Sequence, residues 1–221
     1  MKIKYIAAAL IAIAGVGLQQ AKADTFSYSI SVGNAALSGN PGPYATVLVN
    51  RTSTTTATIT FTSLTNGGNI YLFGDGGTVD VNVNATTWTI GGFTASNSGT
   101  GFTPGPLSDG GSGNVDGFGV FNQTVNSFDG FTHSSDSISF TLTNTSGTWA
   151  TASAVLKANA NGAFAAAHIF VTTSPANAAN GASVTGFAAT GGSRVPDGGT
   201  TVMLLGAALG ALGMARRFIM S

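Results

Sequence analysis

Thr25-Phe26-Ser27-Tyr28-Ser29-Ile30-Ser31-Val32 alternates between small hydroxyl residues and large apolar ones without a break. Successive side chains of an extended chain point to opposite faces, so Phe26, Tyr28, Ile30 and Val32 share one face and Ser and Thr the other. The reading is a half-buried strand. Outward along the chain the pattern recurs at Ala57-Ile59-Phe61, Val79-Val81-Val83, Trp88 with Ile90, and Ile138-Phe140-Leu142. Thr46 to Val49, Ile70 to Phe73, Phe118 to Phe121 and Phe164 to Val171 are further strand candidates. Gly, Asn, Asp and Pro clusters punctuate them at 39–43, 66–69, 74–77 and the long stretch 96–117. Short strands between such turns predict an all-β chain, a single antiparallel β-sandwich or jelly-roll-like domain over 24–184. Only Ala150 to Ala160 reads as a short helix. Residues 185–194, rich in Gly, Ala, Ser and Thr with little periodicity, read as a flexible linker.

Composition agrees with an ordered domain. Only 7% of the 221 residues are charged, against roughly 25% in soluble proteins, yet the 14 Phe lie within β-branched runs. A disordered chain shows the reverse, many charges and few aromatics. The expected surface is polar but uncharged. All the acids are Asp, and cysteine is absent, which excludes disulfides, thiolate chemistry and Cys-type zinc sites.

The two ends carry addresses. Residues 1–23 have a basic start at Lys2 and Lys4, an apolar stretch Ile6 to Leu18, and a small-x-small site Ala21-Lys22-Ala23, the form of a signal peptide cut by signal peptidase to leave Asp24 first. Residues 195–221 run Val195-Pro196-Asp197-Gly198-Gly199, an apolar segment Thr200 to Ala215, then Arg216-Arg217. The segment has roughly 16 residues against the roughly 20 of a full membrane helix. The arginine pair stays cytoplasmic under the positive-inside rule, which puts the body outside. With both ends removed, Arg51, Lys157 and Arg194 face seven Asp, a formal charge of −4. Nucleic acid is excluded as the main partner, because phosphate neutralisation needs a dense Lys/Arg surface.

The C-terminal run resembles a PEP-CTERM-type sorting domain, specifically its VPDSG-CTERM variant, with Gly198 where that variant has Ser. The resemblance covers about the last 27 residues and implies an exosortase as processing partner and a producer of exopolysaccharide matrix. The Gly198-Gly199 pair also resembles the GlyGly-CTERM tails cut by rhomboid-type proteases. The wording at 61–68 and 101–111 is similar to uncharacterised extracellular domains found ahead of such tails, which brings no catalytic residues with it.

Chemistry within the body is sparse. The loop 108–117 gathers Asp109, Asn114 and Asp116 among glycines, an oxygen-rich set suited to calcium, though without the closing Glu of an EF-hand. The alternative is a turn whose Asp and Asn satisfy the backbone. Asp75 and Asp80 invite the same reading. His133-Ser134-Ser135-Asp136 gathers triad letters, but neighbours in sequence seldom converge as a triad does. His168 lies within a strand candidate. Trp88, Trp149, Tyr44 and Tyr71 are either sugar-stacking platforms or core. Asn50, Asn84, Asn122 and Asn144 begin glycosylation sequons that arise readily in a Thr-rich chain. The sequence thus predicts a non-enzymatic, exported structural or interaction protein without a resident cofactor. It is tethered to the inner membrane by its tail before processing, and reaches the cell surface or matrix afterwards. The alternatives are a carbohydrate-binding module for exopolysaccharide and a glycoside hydrolase using an Asp pair.

Overall fold

The alternation that opens the body builds the first strand of an all-β fold. The computed structural model describes residues 24–195; the signal segment and the residues from Pro196 onward lie outside the described residues, and with them the expected signal and membrane helices. Among the described residues twelve strands follow one another: β1 (Asp24–Gly33), β2 (Ala45–Arg51), β3 (Thr56–Ser63), β4 (Thr65–Asn66), β5 (Asn69–Phe73), β6 (Asp75–Val81), β7 (Trp88–Ser96), β8 (Ser108–Val115), β9 (Gly119–Ser127), β10 (Ser137–Asn144), β11 (Ala165–Thr173) and β12 (Val184–Val195). Among the described residues no α-helix forms. The stretch Ala150 to Ala160 holds only the 3₁₀ turn Ala152–Ala154, because Trp149, Ala152, Val155 and Leu156 are drawn down onto the core.

All named strand pairs are antiparallel, and hydrogen bonds join them in one sheet of order β7-β10-β3-β2-β1-β12-β11-β6-β9-β8, with β5 on β11 and β4 on β5. The β1–β12 ladder connects the two halves. Both halves send their apolar face into one cluster: Tyr28, Val47, Phe61 and Ile138 from one side, Tyr71, Phe73, Val79, Val81 and Ile169 from the other. Phe61 meets Phe73 edge-on at 6.1 Å, and Tyr28 stacks on Phe164 at 5.1 Å. Each such side chain contributes roughly 1.5–3 kcal/mol by leaving water. Val32 breaks the pattern: it is 46% exposed, because the β1–β12 register shifts between Ile30 and Val32.

The segment 185–194 is not the expected linker. It belongs to β12, where Ala188 lies opposite Ala167 and Ala189 opposite Ala166, all four fully buried. Ala188 joins the main cluster, while Ala189 joins a second, smaller one with Val115, Phe121, Ala163 and Ala166. A strand covered on both faces loses its polar alternation, so it resembles a spacer in composition.

Strands β5 and β6 lie end to end along β11. Phe73 pairs with Ile169 and Val79 with Ala167, so residues 74–78 on one side lie against His168 alone on the other. The excess, centred on Gly74-Asp75-Gly76-Gly77, bulges outward. Asp75 at φ 65° and Gly77 at φ 62° take the left-handed conformation that this reversal requires.

Candidate functional site

The second apolar cluster contains a carboxylate. Thr124, Asp80, Ala166 and Ala189 lie opposite one another in a row across β9, β6, β11 and β12. Asp80 is 1% exposed, and among the described residues neither of its carboxylate oxygens has a partner at full hydrogen-bond geometry. Burial pushes its pKa up to about 7, and the Thr124 hydroxyl opposite it acts the other way. The glycine bulge packs beside it: a Cβ on Gly77 would stand 3.4 Å from both Asp80 Oδ2 and the Phe187 ring. Gly77 N–H donates to Asn126 Oδ1 at 2.8 Å, and the Thr78 hydroxyl donates to the Asp75 carbonyl.

His168 stands one row away, opposite Phe187 and stacked on it at 4.3 Å, with Phe170 at 5.4 Å on its own strand. Its Nε2 lies 2.6 Å from Thr185 Oγ1. Burial lowers the imidazole pKa, and the Asp75 carboxylate acts in the opposite sense. Asp75 and Asp80 therefore serve different neighbours.

At the start of β1, Asp24 is built into the fold. Its Oδ1 accepts from Arg51 Nε at 2.6 Å, and its Oδ2 accepts from the Ala152 N–H at 2.6 Å. The residue expected to begin the exported chain thus ties β1 to β2 and to the turn beneath the core.

The expected calcium loop is a strand. Asp109 lies opposite Val125 and Asn114 opposite Val120 on the β8–β9 hairpin, roughly 16 Å apart at ~3.3 Å per residue. Asp109 Oδ1 accepts from Gly111 N–H at 2.9 Å and Gln123 Nε2 at 2.7 Å, whereas Asp116 Oδ2 accepts from Asn34 Nδ2 at 2.9 Å. The structure does not bring Asp109, Asn114 and Asp116 together, and among the described residues no three His or Asp gather to hold a metal. Asp109 serves the hairpin's own backbone and amide, and Asp116 serves Asn34 beyond the end of β1.

His133 and Asp136 also serve separate partners. His133 Nδ1 lies 2.7 Å from the Thr103 carbonyl. Asp136 accepts from Ser98 N–H at 2.7 Å and from the Ser98 hydroxyl at 2.6 Å. Of the aromatic candidates, Trp149, Tyr44 and Tyr71 are buried, their polar ends bonded to the carbonyls of Asn84, Asn40 and Pro41. Trp88 is half-buried and donates to Gln123 Oε1 at 2.8 Å. Three of the four candidate sugar platforms are thus core residues. Sequence reading could not separate core from platform, since both uses favour the same large rings.

Neither curated proteins nor solved structures match the chain. The VPDSG-CTERM motif matches residues 194–218, beginning within β12 and running beyond the described residues. That match implies an exported, cell-surface-directed protein processed by an exosortase-type membrane enzyme. This chain therefore carries, directly behind an all-β body, a PEP-CTERM-like exosortase sorting tag.

Proposed function

We propose that the chain is a non-enzymatic structural or interaction protein, displayed at the cell surface or released into the matrix through its C-terminal tag. The tag at residues 194–218 carries this reading. In it, signal peptidase cuts after Ala23, and the apolar segment Thr200 to Ala215 holds the protein in the inner membrane until an exosortase removes the tail. The folded-over sheet reads as a jelly-roll-like sandwich, a rigid body suited to display. Two features support the scheme. Asp24, first after the signal, already has structural partners in Arg51 and the Ala152 N–H. Four of the seven Asp of the body, Asp24, Asp109, Asp116 and Asp136, are engaged in local structure.

Intact-mass analysis of the protein from the envelope and the medium of a host with the tag-processing enzyme tests the scheme. A species beginning at Asp24 and ending near Pro196 is the expected result. A species that begins at Asp24 but retains Arg216 and Arg217 in both fractions would refute processing and leave a permanent tether.

A further inference from the structure

Across β1, β2, β3, β10 and β7, the face of the sheet opposite the main core is a grid of hydroxyls. One row runs Ser29, Thr46, Thr62, Ser137 and Ser96, each residue opposite the next. Two parallel rows pass through Thr60 and Thr58, and only Leu48, Asn50 and Gly91 interrupt the Ser and Thr in them. No position in these rows is buried, and none carries a charge. Thr60 and Ser139 share a hydrogen bond of 3.1 Å. Among the described residues the hydroxyls of Thr46, Thr58, Thr62, Ser137 and Thr141 have no hydrogen-bond partner. Strand geometry spaces the grid at about 4.8 Å between strands and about 7 Å along them.

The chemistry of the face selects its partner. An anionic polymer needs Lys or Arg, and the grid has none. A protein partner needs aromatic, Arg or large apolar anchors that become desolvated at the centre, and here only Leu48, 38% exposed, projects. What remains complementary is an uncharged polymer that itself presents hydroxyls at regular intervals. We propose that this face binds a neutral polysaccharide lying across β2, β3 and β10, with Thr58, Thr60, Ser139 and Thr141 as hydrogen-bonding contacts. The proposal rests on reading the chain as a displayed interaction protein, and it gives that role a partner and a surface. Each contact replaces one to water and is weak alone; repetition along the polymer supplies the avidity. The binding is insensitive to salt, because no ion pair forms.

Native affinity electrophoresis of the detergent-solubilised full chain tests this, with hydroxyethyl cellulose or dextran cast in the gel and alginate as the anionic control. The triple variant Thr58→Val, Thr60→Val, Thr141→Val keeps the β-branched shape and deletes three hydroxyls. We expect retardation by a neutral polymer, unchanged in high salt, and about a tenfold weaker effect in the variant, the loss of one or two net hydrogen bonds. If the triple variant melts early, Thr60→Glu supplies the same comparison. Migration unaffected by either neutral polymer, retardation by alginate alone, or equal retardation of wild type and variant overturns the proposal. So does a dimer in gel filtration that the valines abolish, which gives the face to a second copy. A retained tail in the mass measurement refutes the sorting scheme and leaves the retardation as it is, so the two failures are distinguishable.

Discussion

Replacing Asp80 with Asn removes a charge from the second apolar cluster while keeping the side chain's shape. In wild type the fold tolerates the protonated carboxyl and resists the carboxylate. Asp80's folded pKa of about 7 lies above the ordinary value of 3.8, so its contribution is complete below the ordinary value and is lost as pH rises through the folded one. About three pH units at ~1.4 kcal/mol each gives ~4 kcal/mol over the whole window, with ~2.5 kcal/mol falling between pH 5 and pH 8. His168 titrates with the opposite slope: burial lowers its pKa, so its contribution is lost as pH falls through the ordinary histidine range. Both proteins carry His168, and its effect drops out of the comparison. In a domain of this size ~2.5 kcal/mol corresponds to about 5–10 °C in melting temperature. Thermal melts followed by circular dichroism should show the advantage of Asp80→Asn over wild type growing by that amount from pH 5 to pH 8. Two pH profiles that stay parallel within about 1 °C would refute the reasoning, since Asp80 would then ionise without penalty and could not be buried unpartnered.

Arg51→Ala strips the guanidinium from Asp24 and from the Ser53 carbonyl. With the Arg51 side chain 9% and Asp24 34% exposed, a loss of ~1–3 kcal/mol is expected in urea unfolding; a loss below ~0.3 kcal/mol would show a pair already screened by water. Gly74→Ala places a methyl 2.5 Å from Phe170 Cε2, which predicts a destabilisation of ~1–3 kcal/mol from overpacking. In the background Phe170→Leu that cost should shrink, and a double-mutant cycle with no coupling would contradict the contact.

The parts of the fold visible in the sequence are those with one wet face. Strands β1, β3 and β10 announce themselves because Tyr28, Phe61 and Phe140 alternate with Ser and Thr that face solvent. Strand β12 does not, because Ala188 and Ala189 are buried on opposite faces in two different clusters. Strand β8 offers no apolar residue before Val115; Ser108 to Asn114 become a strand by pairing with β9, a tertiary choice that overrides local propensity. That the stretch 108–117 reads as a loop has the same source, since a closed loop and a hairpin edge draw on the same residues. Asp80 reads in sequence as a calcium or turn residue beside Asp75, and its place between Val79 and Val81 on a buried row shows only in the fold. The sorting tag was legible throughout because motif, apolar segment and basic end act through their order along the chain and need no tertiary partner.

The tag continues from β12, which lies inside the sheet between β1 and β11 rather than at an edge. If the hydroxyl face grips an immobile polymer while the tail is still held in the membrane, tension enters the domain along β12 and leaves through β1 and its neighbours. An antiparallel ladder pulled lengthwise shares the load among all its rungs at once, whereas an edge strand peeled sideways yields them singly. On that reading the continuous sheet would be the load path between matrix and membrane.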